Sequence, residues 1–219
     1  MPINKETFQF LKDLKKNNDR EWFARNKDRF VEANENFIAF AQDLIQRIAK
    51  FDKGVNSLDA RKCVFRIYRD TRFSKDKTPY KTNFGAALMM GKGKGSQGAG
   101  YYFHLAPGEC FLAGGIHLPE PPVLRLLRQE VSYNGKEFLK VINNRKFKQL
   151  FELDCEKLSK VPQGFDREDE MADYLKFKEY IVLHHLSDKD VLSSKCAEKC
   201  AAVYKEMLPF NDFLNEALK

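Results

Sequence analysis

Apolar side chains recur at three- and four-residue steps through the first fifty positions. Phe8, Leu11 and Leu14 make one stripe, and Trp22, Phe23, Phe30, Phe37, Phe40, Ala41, Leu44, Ile45 and Ile48 make another. That period marks helices with one buried face. Asn4 caps the first, with Ile3 stapled against Phe8, and Asn17-Asn18 ends it. Asn18 and Glu21 have capping-box spacing for the second. It runs toward Lys50, would approach a length of about 45 Å at about 1.5 Å per residue, and is expected to kink near Asn34 to Asn36.

The period then changes to two. Cys63 to Asp70 reads as a strand, with Cys63, Phe65 and Ile67 on the apolar side and Val64, Arg66, Tyr68 and Asp70 on the other. Arg69 breaks the apolar row, which places the strand's end or a bulge there. Phe84 to Met90 resembles a second strand. Gly100 to Leu105 and Cys110 to Ala113 form a hairpin around Ala106-Pro107-Gly108-Glu109. If Leu105 pairs with Cys110, His104 lies opposite Phe111 on the face of Tyr102. Gly114-Gly115 marks a bulge or a close backbone approach before Ile116 to Leu118. The tract Gly91 to Gly100 lacks the GxxxxGK[ST] spacing of a phosphate loop and reads as a connector whose two lysines could still close over an anion.

Helices return after Glu120-Pro121-Pro122, then at Asn134 with Glu137, and around Lys146 to Phe151. Glu168-Asp169-Glu170 suits a first helical turn better than a metal site. Lys178 to Leu186 is a further strand, on which His184 and His185 point to opposite faces and chelate poorly. Ser187 with Asp190 caps a short segment. Ser194 to Met207 is a helix that Leu208-Pro209 interrupts. These elements define an α+β fold class: one domain over 1–219, its antiparallel sheet of about four to six strands packed by helices from the N- and C-terminal parts.

Composition sharpens this only a little. With 219 residues, 43% hydrophobic and 19 Phe, the chain supports one phenylalanine-rich core. No apolar run approaches the roughly 20 residues of a membrane helix, and the start, MPINKETFQF, has no apolar signal region, so a cytoplasmic protein is expected. Cys63, Cys110, Cys155, Cys196 and Cys200 show no CxxC spacing and read as free thiols. Cys196 and Cys200 share a helix face and read as packing residues. No metal-ligand cluster or cofactor motif is present, and none is expected to be used.

Charge changes the picture more. Arg61 to Lys94 holds ten Lys/Arg against two Asp, while the whole chain is +7, so this one stretch carries the entire imbalance. Arg66, Arg69 and Arg72 offer forked donors for phosphate or carboxylate, and Lys75, Lys77 and Lys81 add mobile point charges beside Tyr80. Arg20, Arg25, Lys27 and Arg29 could supplement them. The alternative is that Asp70 and Asp76 pair with their neighbours and the other charges are simply solvated.

The run Phe65 to Thr82, FRIYRDTRFSKDKTPYKT, resembles the signature of a widespread bacterial and fungal family of uncharacterised proteins, known as a domain of unknown function. Asn18 to Phe30, Gly100 to Pro121 and Pro209 to Leu214 carry further similar pieces. The resemblance covers nearly the whole chain. It implies one domain, and it supplies no activity and no catalytic residues.

Three functions fit these residues. The first is binding of a phosphate-bearing ligand, a nucleotide or nucleic acid, with Arg66, Arg69, Arg72, Lys75, Lys77 and Lys81 on phosphates and Tyr68, Tyr80 or Tyr102 against bases. The second is a metal-independent enzyme for a phosphorylated or carboxylated small molecule, with His104 or Tyr68 moving a proton and Asp70 orienting a partner. His104 reads otherwise as a hydrogen-bonded structural histidine, and His117 is a weaker candidate. The third is an adaptor for an acidic protein partner.

Overall fold

Helix α1 (Lys5–Lys16) buries Phe8, Phe10, Leu11 and Leu14, the stripe its sequence carries. In this computed structural model, which describes residues 1–89, 98–153 and 155–219, the helices α2 (Arg20–Arg25) and α3 (Lys27–Ile48) come next. The long helix expected here breaks at Asn26 rather than near Asn34 to Asn36. The Asn26 backbone departs from helical geometry, and its amide side chain donates to the Trp22 carbonyl at 2.9 Å. Asn36 lies inside α3 as a buried clasp: its Oδ1 accepts from Thr7 Oγ1 at 2.8 Å and from Asn4 N at 2.9 Å. Asp19, not Asn18, caps α2, accepting from Trp22 N at 2.8 Å.

The largest correction concerns Cys63 to Asp70. Asp59 accepts from Arg61 N and opens a helical turn, α4 (Ala60–Cys63), which takes the residues expected to begin a strand. Beyond that turn the chain pairs antiparallel with residues downstream, but only at Val64 with Ala86 and at Tyr68 with Tyr80. Phe65 N donates to Gly85 O, whereas Ile67 O accepts from Lys81 N, so the single Arg66 faces the three residues 82–84 and the register slips between the two bridges. A slip of that kind interrupts the ladder as a bulge does. Ile67 keeps its place in the core, but Phe65 is 47% exposed.

The sheet has four antiparallel strands in the order β1 (Phe84–Leu88), β2 (Gly100–Leu105), β3 (Cys110–Ile116) and β4 (Tyr180–Leu186). Met90 and most of the glycine-rich tract, with its two lysines, lie outside the described residues. The hairpin between β2 and β3 turns where its sequence predicts, with Gly108 at a φ of 84°. Between β3 and β4 come α5 (Pro121–Tyr133), α6 (Gly135–Ile142), α7 (Arg145–Leu150) and α8 (Ala172–Leu175). Helix α8 starts beyond Glu168-Asp169-Glu170, because Asp169 instead accepts from Met171 N and from the Ser132 hydroxyl. After β4, Ser187 caps α9 (Asp188–Val191) as expected.

Pro209 sits inside the last helix, α10 (Cys196–Glu216), and does not end it. The helix continues because Phe210, Asn211, Phe213 and Leu214 are all buried beyond the proline. Their burial offsets a proline cost of about 3 kcal/mol.

By contacts the chain gathers into two compact units, Met1–Leu88 with Tyr102–Leu112 and His185–Ala202, and Met89–Tyr101 with Ala113–His184 and Val203–Lys219. The first is built on phenylalanine: Phe37 meets Phe84 at 5.3 Å between ring centres, and Phe40 meets Phe103 at 4.9 Å. In the second, Phe138 packs on Tyr174 at 5.2 Å and on Phe213 at 5.3 Å. All five cysteines are free thiols.

Candidate functional site

Asn18 and the 68–80 loop build the site together. The Asn18 side chain donates to Tyr80 O at 2.9 Å and accepts from Tyr80 N at 3.1 Å, pairing with that backbone as a neighbouring strand would. Tyr80 is thereby fixed, and its ring stacks on Phe23 at 3.9 Å between centres and 13° between planes. Burial of the Tyr80 hydroxyl, with Tyr68 beside it, pushes its pKa up. Asn18→Ala should cost about 2 kcal/mol, the worth of two such bonds, and lower the melting temperature by about 4–8 °C for a chain of this length. Urea denaturation that places the variant within about 0.5 kcal/mol of the parent would show that the clasp contributes little.

Around this clasp lies a cleft of about 850 Å³. Arg20, Arg69 and Lys77 bring positive charge to it, Tyr68 brings exposed aromatic surface, the buried Tyr80 lines its floor, and Asp19 is the one carboxylate among its described lining residues. Asp19 Oδ1 already accepts from Trp22 N. Tyr68 is 51% exposed, so its ring can take a partner. Arg20 and Lys77 have no carboxylate partner among the described residues; Lys77 Nζ donates to the Thr71 carbonyl at 2.9 Å, which leaves its charge unneutralised.

The polar face expected of Arg66, Tyr68 and Asp70 is not built on a continuous strand, since the pairing here is limited to the bridges at Val64 and Tyr68. Asp70 grips Arg72 through two bonds, Nε to Oδ1 at 3.0 Å and Nη2 to Oδ2 at 2.7 Å, and that guanidinium holds the Asp70 carboxyl well below the usual range. Arg69 donates to Asp76 and to the Thr78 hydroxyl, and Asp76 is drawn down to about 2, first by Arg69 and then by Thr78. Both carboxylates thus pair with neighbouring arginines, as the alternative to ligand binding requires of them. Arg69 still lines the cleft, locked in place, while Arg72, Lys75 and Arg66 are exposed outside its wall. Lys81 turns away from it: its ammonium lies 5.2 Å from the centre of the Phe65 ring, and burial, then the charge of Arg66, lowers its pKa.

His104 does not line the cleft. It is stacked on Phe111 at 4.5 Å and 9°, the cross-strand neighbour its sequence predicts, and shares a hydrogen bond of 2.9 Å with the Tyr102 hydroxyl. Burial lowers the His104 pKa and pushes Tyr102 up to about 12. The pair favours neutral rings at neutral pH. His117 contacts Glu179 at 2.6 Å, and His184 contacts the Leu150 carbonyl at 2.7 Å. Among the described residues no group of three or more His, Cys, Asp or Glu is placed to hold a metal ion, and no helix is long and apolar enough to cross a membrane.

Sequence reasoning named Arg20 only as a supplement and gave Asn18 the role of a helix cap. The sequence does carry the missed signal for Asp19: an Asp three residues before Trp22 is as good a cap as Asn18. Nothing local marks Asn18 as the partner of a backbone 62 residues away.

No curated protein and no solved structure matches the chain. A family model described as a conserved hypothetical protein, DUF2461, matches residues 6–213. That range holds nearly all of both units, the cleft and the 68–80 loop, and the chain belongs to the DUF2461 family.

Proposed function

We propose that this protein binds a phosphate-bearing ligand, a nucleotide or nucleic acid, in the cleft between Asn18 and Tyr80. The observation that carries the reading is the convergence of Arg20, Arg69 and Lys77 with a half-exposed Tyr68 around one cleft whose single carboxylate is already engaged. Arg69 arrives pre-organised by Asp76 and Thr78, so little side-chain entropy is lost when an anion docks. Arg20 and Lys77 supply the charge that is not neutralised within the fold. Binding fits better than catalysis: of the two groups expected to move a proton, His104 is occupied by Tyr102 and does not line the cleft, and only Tyr68 is placed there.

A thermal-shift titration with pyrophosphate, adenine nucleotides and short oligonucleotides tests this. At about 100 times Kd a ligand stabilises the folded state by about 2.7 kcal/mol, which for this length is a rise of about 5–10 °C. The rise should shrink between about 0.05 and 0.2 M salt, as counterion release requires, and should be lost in Arg20→Ala. No rise with any phosphate-bearing ligand, or one indifferent to Arg20→Ala, would contradict the reading.

A further inference from the structure

Phe73 is 95% exposed, more than any other large apolar side chain described. An exposed apolar residue alone means little, but this one is presented. Ser74 N reaches the Thr71 carbonyl at 3.4 Å, closing a four-residue turn with Phe73 at its third position, and Lys77 Nζ ties down the same carbonyl at 2.9 Å. On the other side Asp70 holds Arg72, whose guanidinium lies 5.8 Å from the centre of the Phe73 ring. The ring therefore stands at the apex of a braced loop and serves no core. Thr71, two residues back, lines the cleft.

Resting on the reading of the cleft as a phosphate-ligand site, we propose that the ligand is single-stranded nucleic acid, with one base against Tyr68 in the cleft and a neighbouring base on Phe73 outside it. A mononucleotide presents one base and cannot use both rings. Two residues of chain reach at most about 7 Å, so the Phe73 backbone lies close to the cleft rim, within the span of a short oligonucleotide. Cations accompany both rings: Arg20 and Lys77 at the cleft, and Lys75 two positions beyond Phe73, exposed and without a carboxylate partner among the described residues. Alternating stacking rings and cations is what a single strand requires, since its bases offer their faces and its phosphates run alongside. A duplex hides those faces.

The test is fluorescence anisotropy with a labelled oligodeoxythymidylate of about twelve nucleotides, competed by thymidine monophosphate, on the full chain and on Phe73→Ala, Phe73→Trp and Lys77→Ala. The oligonucleotide should bind at least about tenfold more tightly than the monophosphate. Phe73→Ala should weaken the oligonucleotide about tenfold and leave the monophosphate unchanged; Phe73→Trp should keep both, and Lys77→Ala should weaken both. Equal binding of the two ligands, or an oligonucleotide indifferent to Phe73→Ala, overturns the single-strand assignment while the cleft reading stands. If neither ligand binds the parent chain, both readings fall. Co-sedimentation with phosphatidylserine vesicles covers the other use of a basic loop tipped by Phe: vesicle binding lost in Phe73→Ala, with oligonucleotide affinity unchanged, assigns the ring to a membrane and overturns the proposal.

Discussion

Reversing two charges, Arg20→Glu with Lys77→Glu, should weaken binding of a phosphate-bearing ligand by at least about 100-fold and leave the fold intact. Each cation is taken to make one charge-assisted bond to phosphate, worth about 1.5–3 kcal/mol, and about 2.7 kcal/mol suffices for a hundredfold change. Stability should move by about 1.5 kcal/mol or less, the worth of the Lys77 bond to the Thr71 carbonyl that is lost. Arg20 is the first residue of α2, where a carboxylate meets the positive end of the helix dipole favourably, and neither side chain has a carboxylate partner to abandon among the described residues. Isothermal titration beside urea denaturation separates the two effects. Unchanged affinity in the double variant would remove the cleft from the account.

The second large effect is on stability. Gly115→Val should prevent the second unit from folding, with a loss above about 4 kcal/mol. Gly115 has a φ of 105°, and a Cβ there would lie 2.0 Å from the Tyr180 carbonyl oxygen, a backbone atom that cannot rotate aside. Gly108→Ala is the control. Its φ of 84° is equally left-handed, but nothing lies within 4 Å of the added carbon, so only backbone strain of about 1–2 kcal/mol applies. Circular dichroism and urea melts of the two variants should differ sharply. A Gly115→Val chain that melts within a few degrees of the parent would show that the β3 approach to Tyr180 is not tight.

The regular elements were legible where one period ran unbroken. The stripe of α1, the β2–β3 hairpin with His104 opposite Phe111, and the Gly114-Gly115 approach all derive from local pattern, because local geometry decides them. Pro209 misled because the apolar residues after it outweigh its local cost, and burial is not a local property. Cys63 to Asp70 misled for the opposite reason: a helical turn at Asp59 consumed its start, and a slip of register opposite Arg66 broke its ladder. Alternation in the sequence cannot reveal a bulge on the partner strand.

For the site, the basic stretch was legible as charge but not as geometry. Sequence counts Arg69, Arg72, Asp70 and Asp76 as four nearby charges; only the folded loop shows that they pair two by two, so that Lys77, with Arg20 from another element, brings to the cleft charge that has no carboxylate partner among the described residues. Tyr80, expected to touch a ligand, lines the cleft but is buried, its ring stacked on Phe23. Arg20 enters because Asn18 clasps Tyr80, a contact between residues far apart in sequence.

The most direct test of the central claim is a 15N amide chemical-shift titration of the full chain with a short oligodeoxythymidylate. Shifts should concentrate at Asn18 to Arg20, Tyr68 to Thr71, Phe73 and Lys77 to Tyr80, and grow weaker as salt is added. Shifts centred instead on Lys12, Lys15 and Lys16, or spread evenly over the basic surface, would contradict a dedicated site at the cleft.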